Sequence, residues 1–298
     1  MALPSQSLPF AEERPGAPGV GADVGATLVK LAIRDDAGHT ALETVPADAL
    51  EEAARRVSAA RPRRVGLTGG GAPKLARLLA ADPVRVDEFC AWGQGAQQML
   101  RSQGLDSQRF LLVSVGTGTS AMLVEPGGVS RLGGTALGGG TVMGLGAALL
   151  GTPDFDEIAS LARRGDRRRV DLLVRDIYPD GDFALPGDIN AASFAKLTGA
   201  AAGERPRDRD LAHGVMGLVG ENVALICCGL AAAARVTRIV FGGGTLRRNP
   251  ALVDILRDVC AMLGREPVFL DRGEFAGAVG ALESAGEQRA KAAGATTG

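Results

Sequence analysis

Aromatic residues are scarce in this chain of 298: they make up 4%, with one tryptophan, one tyrosine and nine phenylalanines. With so few rings, and with 46% of residues hydrophobic, the core must be built from aliphatic and small side chains, the composition of a compact α/β protein. Histidine is rarer still. His39 and His213 have no acidic or cysteine neighbour at ligand spacing, which argues against a zinc site made by protein ligands alone and against a histidine-based triad. Cys90, Cys227, Cys228 and Cys260 contain no CxxC pair. The adjacent two lie in an apolar helical stretch, where small buried thiols are the default, and a reducing compartment follows. Excess charge of either sign is also missing. The net charge is −1, from 33 basic and 34 acidic residues, so no global field draws in nucleic acid or an anionic membrane. The densest basic run, 163–169, is interrupted by Gly165 and Asp166 and reads as a solvated helix end.

Targeting signals are lacking too. Residues 1–18 carry prolines and acids without a basic start and apolar run, and read as a frayed tail rather than a signal peptide. The longest uncharged run, 133–153, has the length of a bilayer span, but its glycines and threonines argue for a loop followed by a buried helix. A cytoplasmic protein is expected. The Walker pattern GxxxxGK[ST] is absent.

What the chain has in abundance is glycine, 43 residues, an excess that loops are expected to absorb. Short β-type runs at 28–33, 64–67, 84–86, 110–115, 121–124, 238–241 and 267–270 alternate with helical patterns at 47–59, 73–80, 91–103, 154–164, 208–234 and 251–263. This alternation predicts α/β layering. A glycine-rich turn with a threonine opens each half, which suggests two similar lobes with a nucleotide between them. The expected organisation is a tail at 1–18, an N-terminal lobe at 19–109, a C-terminal lobe at 110–286 and a flexible tail at 287–298.

Three turns carry the chemistry. In the first, Asp23 precedes Gly25, Ala26, Thr27 and Lys30. Small residues let backbone N–H groups curl toward phosphate oxygens, and an aspartate there can hold Mg²⁺ through water. A plain β-hairpin turn is the alternative. Gly19, Gly21 and Gly25 also form a variant dinucleotide fingerprint, but Glu13, Arg14 and Pro15 stand where its strand belongs and a strand-like run stands where its helix belongs. In the second turn a buried strand delivers Gly116, Thr117, Gly118, Thr119 and Ser120, alternating close backbone approach with hydroxyl donors. A type I′ hairpin is its alternative. In the third, Gly242, Gly243 and Gly244 follow a strand and leave room for a flat ligand such as adenine.

These turns resemble the family of acetate and sugar kinases, Hsp70 and actin, and the chain from about Gly21 to Leu282 resembles the type II pantothenate kinases within it. The resemblance rests on the segments 23–30, 67–71, 87–89, 116–120, 131–141, 164–166, 174–178, 185–188 and 277–282. The arginine-to-triple-glycine segment, Arg131 through Gly138, Gly139, Gly140 and Thr141, and the Arg175-Asp176-Ile177-Tyr178 segment are specific to this branch. The resemblance implies a two-lobed actin-like ATPase (ribonuclease H-like) α/β fold, with duplicated mixed sheets flanked by helices. It also implies a homodimer that uses ATP and Mg²⁺ to phosphorylate pantothenate, the entry step of coenzyme A synthesis. Glu88 falls on the catalytic base and Arg131 on the group that holds the substrate carboxylate, with Ser120 and Thr117 beside it. Asp23 falls on the metal position. Gly25, Ala26, Thr27, Lys30, Gly116, Thr117, Gly118, Thr119, Gly138, Gly139, Gly140 and Gly242 to Gly244 fall on the ATP and phosphate positions.

Elementary chemistry agrees. Phosphoryl transfer needs alignment and charge neutralisation more than covalent help. A carboxylate can orient a primary hydroxyl and take its proton, and an arginine can grip a carboxylate with two parallel bonds. Three residues depart from the family pattern: Ala26 stands for a second glycine, Cys90 for an acid, and Phe269 for a tyrosine that closes the substrate tunnel in some relatives. Two other readings compete, a kinase of the same superfold acting on a sugar such as N-acetylglucosamine, and a silent nucleotide- or CoA-binding sensor. Asp23, Glu88 and the glycines that a sensor would be expected to lose are all present.

Overall fold

The computed structural model describes residues 6–8, 18–80, 82–105, 107–180, 186–199 and 206–295. Of the segments singled out above, most of the 1–18 tail, Leu185 and residues 296–298 lie outside the described residues.

Six strands make the first sheet: β1 (Gln6–Leu8), β2 (Gly19–Val24), β3 (Leu28–Arg34), β4 (Thr40–Pro46), β5 (Val65–Thr68) and β6 (Val84–Arg85). Their order is β1-β4-β3-β2-β5-β6, antiparallel through β3 and β4 and parallel where β5 joins β2. Helices α1 (Leu50–Ala59) and α2 (Ala72–Ala76) cover one face, burying Val57 and Leu75 against Val20, Leu31 and Leu67. Helix α3 (Glu88–Ser102) then leads to the second sheet. There β7 (Phe110–Val115), β8 (Thr119–Glu125) and β9 (Gly128–Thr135) form a meander. Helices α4 (Gly139–Leu150) and α5 (Phe155–Ala162) follow, then a small insert of β10 (Leu172–Leu173), α6 (Val174–Ile177) and β11 (Asn190–Ala192). Helix α7 (Asp208–Ala233), β12 (Arg238–Gly242), α8 (Pro250–Met262), β13 (Glu266–Phe269) and α9 (Ala276–Ala295) complete the chain, and the second sheet runs β13-β12-β7-β8-β9.

The second sheet buries its outer face under α5, α7 and α8, around Val113, Phe241, Val219 and Leu256. By length and composition α7 could cross a membrane, but 56% of its most apolar window is buried inside the fold. Between the sheets lies a middle layer of α3 and α9, where Trp92, Met99 and Leu282 meet Phe110, Leu112 and Met122.

That layer changes two expectations. Much of the glycine serves packing rather than loops. A Cβ on Gly95 would stand 1.8 Å from the Ala276 carbonyl, and one on Gly280 would stand 1.7 Å from that of Ala91. Helices α3 and α9 therefore touch backbone to backbone, an approach only glycine permits. Strand β2 is likewise a buried strand, although 19–24 reads as a turn in the sequence, because Gly21 has to pass under α9. The second correction concerns the boundaries. Residues 276–286 pack on β2, β5 and α3 as well as against the second sheet, α9 continues to Ala295, and Gln6–Leu8 pair with β4.

Candidate active site

The side chains of β2 divide by alternation. Val20, Ala22 and Val24 join the apolar core of the first lobe, whereas Gly21 and Asp23 face α9. Asp23, next to the end of its strand, is buried at 4% exposure. Burial pushes its carboxyl above the usual carboxylate range, and the Lys30 ammonium pulls the other way. Lys30 is its cross-strand partner, with Nζ 3.5 Å from Oδ2. The turn between them is a hairpin in which the Gly25 N–H donates to the Leu28 carbonyl at 3.1 Å. Ala26 and Thr27 are exposed at its tip.

Glu88 opens α3. Asp87 caps that helix, accepting from the N–H groups of Phe89 and Cys90 at 3.0 Å each, so Glu88 is fixed in the first turn. Burial raises its pKa first, the negative charges of Asp23 and Asp87 add to the rise, and Lys30 opposes it. One turn along, the sole tryptophan faces the same junction. A Cβ built on Gly277 would lie 2.9 Å from Asp23 Oδ2 and 3.0 Å from Trp92 Nε1.

The second turn is fastened from several sides. The Gly116 carbonyl accepts from Gly139 N–H and from Thr245 Oγ1, both at 2.8 Å, and the Thr117 carbonyl accepts from Gly140 N–H at 2.9 Å. Thr119 Oγ1 donates to the Leu137 carbonyl at 2.8 Å. Gly138 is wedged against the same turn, 2.7 Å from two of its carbonyls if given a Cβ. Gly139 and Gly140 thus spend their N–H groups on the turn and shape it, rather than offering free donors. Gly243 closes the arrangement at φ +113°, with the Val115 carbonyl 2.3 Å from where a Cβ would be. The second and third glycine clusters of the sequence are therefore neighbours.

Arg131 reaches the site through an irregularity. β9 pairs Met122 with Arg131 and Ala121 with Gly133, so Leu132 is an extra residue in the ladder. Such a bulge reverses the alternation beyond it. Arg131 and Gly134, three apart, consequently share a face, and the guanidinium lies beside Gly134, with Nη2 3.2 Å from its would-be Cβ.

These parts meet in a cavity of about 540 Å³ lined by Glu88, Ser114, Gly116, Gly118, Thr119, Ser120, Arg131, Gly134, Thr135 and Ala136. The structure thus brings the anticipated Glu88, Ser120 and Arg131 together around the second turn. Asp23, Lys30, Gly25 to Thr27, Thr117, Gly138 to Gly140 and Gly242 to Gly244 are not among the residues that line it. Ser114, Gly134, Thr135 and Ala136 were not singled out as site residues; the strand alternation through Ser114 and Ser120 and the glycine run after Arg131 were the available signals. Phe269 stacks on Phe241 at 5.2 Å beneath Arg257, in the second lobe's packing rather than in the cavity wall.

Among the described residues no group of three or more His, Cys, Asp or Glu could cage a metal alone. Magnesium asks for less, one or two carboxylates with waters and phosphate oxygens. A buried Asp23 next to an unpartnered Thr68 hydroxyl fits that requirement.

Comparison with known proteins gives consistent findings. The family model described as Fumble matches residues 39–284. A type II pantothenate kinase from Staphylococcus haemolyticus is 31% identical over 263 residues, 88% of this chain and 98% of the relative. That of Staphylococcus aureus USA300 is 32% identical over the same extents. Among solved structures, the activator of the 2-hydroxyisocaproyl-CoA dehydratase from Clostridium difficile, with bound ADPNP, covers 92% of this chain and 96% of its own at a TM-score of 0.62 and 16% identity. A ROK family glucokinase from Streptomyces griseus, in complex with glucose and AMPPNP, covers 91% and 100% at 0.57 and 14%. The two mixed sheets with their helices are thus the actin-like ATPase fold. The extent of the family match and the identity to curated relatives lead to one conclusion: the chain belongs to the Fumble family of type II pantothenate kinases.

Proposed function

We propose that this enzyme transfers the γ-phosphoryl group of ATP to the primary hydroxyl of pantothenate, giving 4′-phosphopantothenate for coenzyme A synthesis. The observation that carries the reading is the convergence of Glu88, Ser120 and Arg131 on one cavity bounded by Gly116 and Gly118. Arg131 grips the pantothenate carboxylate in a bidentate pair, and Ser120 and Thr117 supply hydroxyls beside it. Glu88 orients the substrate hydroxyl. As the new O–P bond forms and the bond to the bridging oxygen of ADP breaks, the hydroxyl proton passes to Glu88. A carboxylate whose proton affinity is raised by burial and by Asp23 and Asp87 is suited to that task.

ATP lies between the lobes in this reading. Gly25, Ala26, Thr27 and Lys30 approach its phosphates from one side and Gly116, Gly118 and Thr119 from the other. Gly138 to Gly140 brace the second turn, and Gly242 to Gly244 flank the adenine. Mg²⁺, held by Asp23 through water, would neutralise charge spreading over the phosphate oxygens. A homodimer in the cytoplasm completes the proposal: Leu225 and Ile226 are exposed on α7, where a second copy could cover them, and the cysteines are unpaired.

The test is ADP release with Mg²⁺ and ATP, with pantothenate and N-acetylglucosamine run side by side. Turnover should depend on pantothenate and fall ~10²-fold or more in Glu88→Ala. Turnover on the sugar alone would favour a sugar kinase, and ATP binding without turnover would favour a sensor.

A further inference from the structure

Thr68 is the last residue of β5 and sits at 1% exposure. Its Oγ1 is buried with no hydrogen-bond partner among the described residues. A buried hydroxyl without a partner is costly and is kept where something else satisfies it. Its position says what that could be. β2 and β5 are parallel neighbours, and Asp23 pairs with Thr68 at their carboxyl ends. Paired residues of adjacent strands project from the same face, so the orphaned hydroxyl and the buried carboxylate share one corner of the first lobe. Gly69 follows, where a Cβ would lie 2.9 Å from Asp23 Oδ1. Gly277, in the first turn of α9, shuts the other side against Asp23 Oδ2. The only cationic contact of the Asp23 carboxylate among the described residues is Lys30, at 3.5 Å.

We infer that Thr68 is a further binding residue, its hydroxyl joining Asp23 in holding the water shell of the nucleotide-bound Mg²⁺. This rests on the reading of Asp23 given above. The chemistry suits a hard cation. Mg²⁺ retains most of its waters, each of them a donor, and a threonine oxygen can accept from one while its own proton turns toward a phosphate or carboxylate oxygen. A carboxylate with a hydroxyl beside it thus recognises a hydrated ion without stripping it. A valine has the same shape and lacks the oxygen. A threonine retained only for packing would be exchangeable for it at no loss, and removal of an unsatisfied hydroxyl would stabilise the fold.

Trp92 offers a readout independent of turnover. It is the sole tryptophan and lies with Asp23 about Gly277, so a paramagnetic Mn²⁺ bound with ADP will quench its fluorescence. In Thr68→Val we expect a thermal midpoint no lower than in the unsubstituted protein. The Mn²⁺ concentration for half-quenching at saturating ADP should rise ~5–10-fold, as should the Mg²⁺ concentration for half-maximal turnover. Thr68→Ser, which returns the oxygen, should recover most of both. Quenching and Mg²⁺ dependence within twofold of the unsubstituted protein in Thr68→Val would overturn the inference while leaving the Asp23 site standing. If ADP-dependent quenching is absent from the unsubstituted protein, the Asp23 cation site falls and the inference falls with it.

Discussion

The two turns that meet ATP in the proposed enzyme are both hairpins between antiparallel strands, yet they are held in opposite ways. The first, Gly25 to Thr27, is closed by its own Gly25–Leu28 bond and a bond from the Ala47 N–H to the Thr27 carbonyl, with an exposed tip. The second, Gly116 to Gly118, is clamped by the start of α4, by Thr119, by Thr245 and by Gly243. One lobe supplies charge, in Asp23, Lys30 and Glu88, on strands and a helix that flank an exposed turn. The other supplies a preset cradle. Electrostatic help works best from groups already in place, and a cradle built mostly of glycine backbone, with Thr117 its one side chain, has to be fixed from outside.

The contrast can be broken most sharply at Gly243. Alanine there must hold a left-handed backbone and stand 2.3 Å from the Val115 carbonyl, which costs on the order of 3 kcal/mol. Gly243→Ala should lower the thermal midpoint by several degrees and weaken ATP binding at least tenfold, both readable by calorimetry.

A subtler change tests the charged lobe. Burial raises the pKa of Asp23 in the native state, so folding is favoured while that group is protonated, and the advantage is lost as pH rises through the native value. Asp23→Asn removes the buried charge. In EDTA and without nucleotide, its midpoint should exceed that of the parent by about 2–4 °C at neutral pH, the shift that ~1 kcal/mol gives a chain of this size. The gap should close toward pH 4. A variant less stable at neutral pH would place the balance of Asp23 in its contact with Lys30 instead.

The smallest effect is expected at the first turn. Ala26→Gly restores the glycine common in the family on an exposed hairpin tip, and should change stability by less than ~0.5 kcal/mol and the KM for ATP by less than about twofold. A large effect would show that this turn is as constrained as its counterpart.

Much of this contrast was legible in the sequence. Periodicity gave α1, α5, α7 and α8 and the strands β3, β5, β7 and β12, because each has one face in water or a continuous apolar run. The residue types at Asp23, Glu88 and Arg131 announced phosphate chemistry once the family resemblance was seen. Three features stayed hidden. β2 looks like a turn because Gly19 and Gly21 serve α9, which is remote in sequence. The aim of Arg131 depends on a bulge at Leu132 that no spacing rule encodes. α9 has an Ala/Gly-rich sequence with little amphipathic pattern, and its residues 276–282 are buried among β2, β5 and α3 rather than lying on the surface. Local pattern reports faces toward water, which α3 has at Glu88, Cys90 and Arg101 and which residues 276–282 of α9 lack.

The return of α9 to the first lobe also bears on how the chain is made. During synthesis, β2 and β5 emerge about two hundred residues ahead of the helix that covers them. Until then one face of the first sheet, with Gly21, Asp23, Gly66 and Thr68, has no lid. Contacts so distant in sequence are slow to form, and an uncovered sheet invites the wrong partner. The second lobe also joins distant segments, Leu111 of β7 pairing with Ile239 of β12, but its strands from β7 to β13 are all made before α9, so its sheet can form first on the ribosome. The nucleotide cleft is then completed at a single late step, when the glycines of α3 and α9 close on each other.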